Sequence, residues 1–453
     1  MDDLVVELAV ALGADSVLTG AEAQSRMSSQ SCGTILVLPG NTDQVSKILR
    51  ICYRARRAVV AQGGLTGLVL GSLTNAGDVA LSFDRMRRIV EVDAVNRCMT
   101  VEAGVPLQAA QEAAQSKGLI LPLDLGARGS ATIGGNVSTN AGGTRVLRFG
   151  MTRELVLGLR VVLADGSIID GRRKLLKNNS GYDLKHLFIG SEGTLGLVTE
   201  VVLRLRQKPL SHDTALVAID DFTRLTRFIT LMEVDLAGTL SSFEVMWQSF
   251  YELVTTPPAM GQPILDRQHA YYALVDTQGT DPQRDRDALI TALQKAQAAG
   301  LISDAAVSYS SSERRAMWDL REDLAQFSRD GPHFAYDVSL PLDAMEAFVA
   351  EVQRKLAEGF VHARCWVYGH LADSNLHLAV RVDEAEAHSK VDKIVYSALP
   401  PGSSVSAEHG IGMLKKTYLS LSRTPAELAL MRTLKQALDP QGILNPGKIF
   451  DIC

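Results

Sequence analysis

The chain has 453 residues, 46% of them apolar and 21% charged, with a net charge of −5. That length and composition accommodate two or three domains with sizeable buried cores. A slightly acidic chain without a dense basic run has little to offer a nucleic-acid backbone, which argues against DNA or RNA as a partner.

The amino-terminal MDDLVVELAVALGADS starts acidic and is interrupted by Glu7, where a secretory leader needs a positive flank and an unbroken apolar stretch. Residues 34–208 mix short β-rich runs, at 34–38, 59–61, 79–82, 98–102, 157–163 and 199–205, with helical patterns at 42–56 and 106–117. This predicts a glycine-punctuated α/β or α+β domain that ends near Gln207-Lys208-Pro209. From Ala215 the rhythm changes. Helices are expected near 221–234, 281–299, 312–328 and 342–356, between strands near 214–219, 270–276, 334–340 and 363–380. That alternation suggests a second α+β domain on an antiparallel sheet, spanning 209–405. The remaining segment, 406–453, holds a helix at Pro425–Leu438 and a turn-rich tail. No apolar run approaches the roughly 20 residues of a membrane span. Cys32, Cys52, Cys98, Cys365 and Cys453 are scattered without a CxxC pair, as suits free thiols, and a cytoplasmic location is expected.

Two motifs in the second half carry chemistry. Residues 369–377 read GHLADSNLH, with apolar and β-branched flanks around a polar turn, so a hairpin is expected with His370 and His377 as cross-strand neighbours. Thirty residues on, Ala407-Glu408-His409-Gly410 adds a carboxylate and a third imidazole. His370, His377 and Glu408 would form the two-histidine, one-carboxylate set of a catalytic metal site, leaving His409 as a base. The same residues also read as ordinary hydrogen-bonded histidines beside a turn, and a zinc hydrolase would use the same set.

Three segments of the first domain are rich in glycine: 61–72 (AQGGLTGLVLGS), 122–143 (PLDLGARGSATIGGNVSTNAGG) and 190–196 (GSEGTLG). Backbone amides without side chains can cradle a pyrophosphate, although one such loop alone is equally a tight turn. Neither the Rossmann fingerprint nor a Walker lysine is present. Three segments in one domain point to a large cofactor; a nucleotide-binding regulatory scaffold would leave the histidines and carboxylate unexplained.

Taken together, QGGLTG, PLDLGARGSATIGGNVSTNAGG, NNSGYDLKHLFIGSEGTLG, GHLADSNLH, SAEHGIG and LDPQGILNPGKIF resemble the flavin-dependent D-2-hydroxyacid dehydrogenases of the vanillyl-alcohol-oxidase, or PCMH, type. Within that family the D-2-hydroxyglutarate and D-lactate dehydrogenases are the most similar. The resemblance runs in order from about residue 35 to the carboxyl terminus. It implies an α+β fold: a PCMH-type FAD-binding domain of two α/β subdomains (1–208), a substrate-binding cap with an antiparallel sheet (209–405), and a carboxyl-terminal segment (406–453) that completes the active site.

The resemblance further implies that Gln62, Gly63, Gly64, Leu65, Thr66, Gly67, Gly71 and Ser72 hold the FAD pyrophosphate. Pro122, Leu123, Asp124, Leu125, Gly126, Ser130, Thr132, Ile133, Gly134, Asn136, Thr139, Asn140, Gly142 and Gly143 would line the rest of the cofactor, finished by Glu192, Gly193, Gly196, Val198 and Asn445. No histidine precedes His186, so non-covalent binding is expected. His370, His377 and Glu408 would bind a divalent metal, Zn2+ first among candidates; His409 would take the hydroxyl proton and Arg321 would bind the substrate carboxylate. The implied reaction oxidises a D-2-hydroxy acid to its 2-oxo acid, independently of NAD, with an electron-transfer flavoprotein or a quinone as acceptor; a homodimer is compatible with this reading. The first loop departs from the family pattern at Ala61 and Leu70. Ala325, Ala335 and Ala379 stand where the D-2-hydroxyglutarate enzymes carry threonine, lysine and asparagine. Losing those polar groups favours a monocarboxylate with an apolar side chain, such as D-mandelate, D-phenyllactate or D-lactate, over the alternative D-2-hydroxyglutarate. Phe334, Trp318, Phe327 and Trp247 are the candidate walls of its pocket.

Overall fold

The computed structural model describes residues 3–384 and 386–451. Cys453 lies outside them, and Cys32, Cys52, Cys98 and Cys365 are free thiols. The chain forms two compact units. One comprises the chain up to Gly143, Gly150–Lys208 and the segment from Glu408 on; the other comprises Thr144–Phe149 and Pro209–Ala407.

The first unit is built on two sheets. Val17–Thr19, Ile35–Val37, Val79–Ser82 and Val59–Gln62 lie side by side in that order, the last three mutually parallel. Those three are short, almost wholly buried runs, as parallel strands covered on both faces should be. The helices Asp3–Leu12 and Thr42–Arg54 pack into the same core, and Asn41 caps the second by accepting from the Gln44 N–H at 3.0 Å. A five-stranded antiparallel sheet follows, in the order Ile89–Asp93, Cys98–Glu102, Leu197–Arg204, Val156–Val162 and Ile168–Asp170. The helix Leu107–Gln115 and the short helix Ile133–Thr139 cover its core. The carboxyl-terminal segment belongs to this unit because Leu444 bridges the edge strand at Val59. Its helix Pro425–Leu438 opens on a capping box between Thr424 and Glu427. At the other end the buried Lys435 donates to Asp439 and to the carbonyls of Leu444 and Thr194.

The second unit is one seven-stranded antiparallel sheet. Its order is Asp304–Val307, Ser211–Ile219, Tyr271–Gly279, Leu240–Trp247, Arg364–Gly369, Asn375–Arg381 and Phe334–Ser339. The central strand Leu240–Trp247 was not anticipated from the sequence. Ser241, Ser242 and Glu244 spoil its apolar pattern, yet all eight of its residues are buried. Helices Gln248–Thr255 and Ser311–Glu322 pack on one face of the sheet, where Leu216, Leu274, Met246, Tyr368 and Ala379 share a core with Phe250, Met317 and Leu320. The expected single helix at 312–328 breaks at Asp323, after which Leu324–Ser328 continues as a 3-10 turn. No helix among the described residues is long and apolar enough to cross a membrane.

Candidate active site

In the first unit the segment after Ala407 is bonded to all three glycine-rich segments. Glu408 Oε1 accepts from the Gly143 N–H at 3.0 Å. The N–H groups of Ile411 and Gly412 donate to the two oxygens of Glu192 at 2.7 and 2.8 Å. The Met413 N–H reaches the Val69 carbonyl at 2.9 Å. His409 is therefore flanked by residues tied to this assembly. Asn445 closes it from the tail, donating to the carbonyls of Gly71 and Glu192 at 3.1 and 2.6 Å.

Several glycines here are required by protein contacts. A Cβ on Gly64 would stand 1.8 Å from the Ser130 carbonyl oxygen, and one on Gly143 would stand 1.9 Å from that of Asp124. Gly67 and Gly126 differ, because a Cβ on either would meet open space. The loop is exposed from Leu65 to Leu68. Asn136 Nδ2 and Asn445 Oδ1 are buried without a hydrogen-bond partner. Open backbone beside unsatisfied buried amides fits a large polar cofactor such as FAD, since buried polar atoms are ordinarily paired. Burial holds the Glu192 carboxyl above the usual range, against the two N–H groups it accepts.

In the second unit the expected hairpin forms, with a 3-10 turn at Leu371–Asp373. His377 pairs across the hairpin with Tyr368, not with His370. The two imidazoles nevertheless come together, with centroids 5.3 Å apart and rings nearly perpendicular. Each offers a ring nitrogen within 4.8 Å of the other's, a spacing that one ion can bridge. His370 and His377 are both buried.

Glu244 was missed by the sequence reading. It lies two residues before Met246, the cross-strand partner of Tyr368, and so shares a face with the hairpin's inner side chains. His370 Nδ1 donates to Glu244 Oε1 at 2.5 Å, and Arg321 Nε and Nη2 both sit 2.9 Å from Oε2. A carboxylate can only accept, so Nδ1 carries the hydrogen, and this bond fixes the orientation of the His370 ring. Burial alone would raise the Glu244 carboxyl, but His370 and Arg321 hold it below the usual range. Arg321, in the last turn of Ser311–Glu322, is only 5% exposed, which removes the solvated-face reading; its guanidinium also stacks 4.5 Å over Tyr368. With its Nε edge committed to Glu244, the remaining Nη1 side is what it can present to a ligand.

Cross-strand register sorts the pocket candidates. Asp337, His377 and Tyr368 form one row across three strands, and Ala335, Ala379 and Trp366 form the next row on the same face. Ala325 and Ala335 are exposed while Ala379 is buried. Phe327 stacks with Tyr368 and lies 5.7 Å from Trp366, so it belongs to this face, as does Trp318, whose Nε1 donates to Asp276 at 3.3 Å. Trp247 and Phe334 do not. Strand alternation turns them to the opposite face, where Trp247 packs on Tyr271 and Phe334 stacks on His388. Trp366, which the sequence did not single out, takes their place.

A family model described as "FAD linked oxidases, C-terminal domain" matches residues 208–449, and one described as "FAD binding domain" matches residues 34–172. The chain belongs to the FAD-linked oxidase family. It is 38% identical over 424 residues to a D-2-hydroxyglutarate dehydrogenase of Xanthomonas citri, covering 92% of this chain and 89% of that one. It is 40% identical over 421 residues to the mitochondrial D-2-hydroxyglutarate dehydrogenase of Bos taurus, covering 92% of this chain and 76% of that one. Among solved structures it superposes on p-cresol methylhydroxylase with a TM-score of 0.78 at 16% identity, covering 99% of this chain and 97% of that one. The 4-ethylphenol oxidase of Gulosibacter chungangensis gives a TM-score of 0.76 at 19% identity, with coverage of 99% and 97%. The fold of this FAD-linked oxidase is thus the PCMH-type flavoprotein fold expected from its motifs. The mitochondrial location of the Bos taurus relative lends no support to the cytoplasmic expectation.

Proposed function

We propose that this FAD-linked oxidase oxidises a D-2-hydroxy acid to the 2-oxo acid. The observation that carries the reading is the buried chain Arg321–Glu244–His370 beside His377, which gathers a guanidinium and two imidazoles out of water, as recognition of a carboxylate substrate requires. The names of the relatives, D-2-hydroxyglutarate dehydrogenases, support the substrate class. FAD, when bound, supplies the two-electron acceptor for the hydrogen on the α-carbon. His409 takes the hydroxyl proton, and Arg321 offers its Nη1 side to the carboxylate.

His370, His377 and Glu408 would hold a divalent cation, with zinc the best match to two imidazoles and one carboxylate. Such an ion would lower the pKa of the substrate hydroxyl.

For the side chain of the substrate, the buried Ala379 offers only a methyl group, beside the ring of the buried Trp366, where a second carboxylate would need donors. An unpaired buried carboxylate would cost several kcal/mol, on the order of a thousandfold or more in affinity. A monocarboxylate with an apolar side chain is therefore the preferred substrate, with D-mandelate, D-phenyllactate and D-lactate as candidates. The relatives' names favour D-2-hydroxyglutarate instead. Anaerobic reduction of the bound flavin by these four acids and their L-enantiomers decides between the two: a kcat/KM led by D-2-hydroxyglutarate would defeat the apolar pocket. His409→Ala is expected to slow flavin reduction about 10²–10⁴-fold at unchanged flavin content, and an undiminished rate would remove His409 as the base.

A further inference from the structure

We infer that Asn375 is a substrate-binding residue whose side-chain amide hydrogen-bonds the carboxylate of the 2-hydroxy acid; the inference rests on the function proposed above. Asn375 opens the strand Asn375–Arg381, and its N–H reaches the His370 carbonyl at 3.2 Å. It precedes His377 by two residues, so the two side chains leave the strand on the same face. The residue is 3% exposed, yet Nδ2 and Oδ1 are both buried without a hydrogen-bond partner. Among the described residues it is the one side-chain amide with both polar atoms in that state.

A primary amide carries two donors and two acceptor lone pairs, and burying them unmade is costly. Packing alone would be served better by a leucine of similar size. The backbone at this point is closely held, because a Cβ on Gly369 would stand 2.4 Å from the Asn375 carbonyl oxygen and 3.0 Å from Leu376 Cα. The amide is thus fixed beside both histidines and complementary to a ligand that offers an acceptor next to a donor. A 2-hydroxy carboxylate does this on adjacent carbons. Nδ2 donates to the carboxylate, and Oδ1 accepts from the hydroxyl on binding, before the hydroxyl turns its single proton to His409 for transfer.

The test compares wild type with N375A, N375D and N375L as FAD-loaded proteins. Three things are measured: KM and kcat for the best D-2-hydroxy acid of the panel, Kd for the matching 2-oxo acid from the flavin spectrum, and the melting temperature without substrate. N375A is expected to raise KM and Kd about 10–100-fold, the range of one hydrogen bond to a charged group. N375D, which replaces the donor by a like charge, should raise both further. Flavin content should not change, and N375L should melt at or above wild type. Unaltered KM and Kd in N375D would overturn the inference, as would loss of flavin or of bound metal in N375A, which would give the amide to one of those groups. If no D-2-hydroxy acid reduces the wild-type flavin, the functional reading falls, and this inference with it, before any variant is compared.

Discussion

The glycine-rich assembly of the first unit and the histidine hairpin of the second hold their polar groups by opposite means. In the first, backbone groups dominate: amides of Gly143, Ile411 and Gly412 meet the carboxylates of Glu408 and Glu192, and a Cβ on Gly67 or Gly126 would meet open space. In the second, side chains from separate strands and a helix converge, with Arg321, Glu244 and His370 linked in a buried row. A backbone-built site can stay open and exposed, as the loop around Leu65–Leu68 is. A side-chain-built site must be dry and neutralised from within, because its charges are paired out of water.

Glu244→Ala should give the largest effect on this contrast. It removes the carboxylate shared by a buried guanidinium and a buried imidazole, so a stability loss of about 3–5 kcal/mol is expected in denaturant unfolding. Hydrogen exchange should locate the loosening in Leu240–Trp247 and Arg364–Gly369, with the glycine-rich segments still protected. Equal loosening of both regions would break the contrast.

An intermediate effect is expected inside the cradle. Gly64→Ala forces a Cβ against the Ser130 carbonyl and should cost about 1–3 kcal/mol even in flavin-free protein. Gly67→Ala meets open space, so flavin-free stability should hold while FAD affinity falls. If both variants behaved alike in the absence of FAD, the distinction between glycines needed for packing and glycines left open for a ligand would fail.

The smallest effect is on pH dependence, with opposite signs in the two regions. Asp276 is fully buried, which would raise its carboxyl, yet hydrogen bonds from His212, Thr214 and Ser241 bring it below the usual range. Its stabilising contribution is complete above an unfolded pKa of about 3.9 and is lost as pH falls through the lower folded value. Glu192 is raised by burial, so its region loses stability as pH climbs from about 4.3 toward the folded value. In urea unfolding of flavin-free protein between about pH 3 and 7, Asp276→Asn should flatten the acid loss and Glu192→Gln the rise in cost. Unchanged pH profiles in both variants would contradict these opposite signs.

The sequence made the two regions unequally legible. Glycine clusters mark close backbone packing directly, because only glycine tolerates the approaches seen at Gly64 and Gly143. Flanking β-branched residues and the Ala-Asp-Ser-Asn turn likewise located the hairpin and its two histidines. Glu244 and Asn375 stayed silent: a buried glutamate in a strand broken by two serines looks like a surface residue, and an asparagine beside a turn looks like turn chemistry. The aromatic assignments failed for a related reason. Proximity in sequence says nothing about which face a strand residue takes until register is known, and that is why Trp247 and Phe334 gave way to Trp366.

By itself, then, the sequence determined the α+β architecture, the three glycine-rich segments, the histidine hairpin and the motif order that places the chain among FAD-linked oxidases. These are local signals, written in glycine, turn residues and short-range periodicity. Tertiary structure alone decided that Arg321 answers to Glu244, that Glu244 orients the ring of His370, and that Asn375 stands buried with its amide unmet. Those relations depend on strand order and register across distant residues, 77 positions between Glu244 and Arg321 and 126 between Glu244 and His370, and no local pattern encodes them.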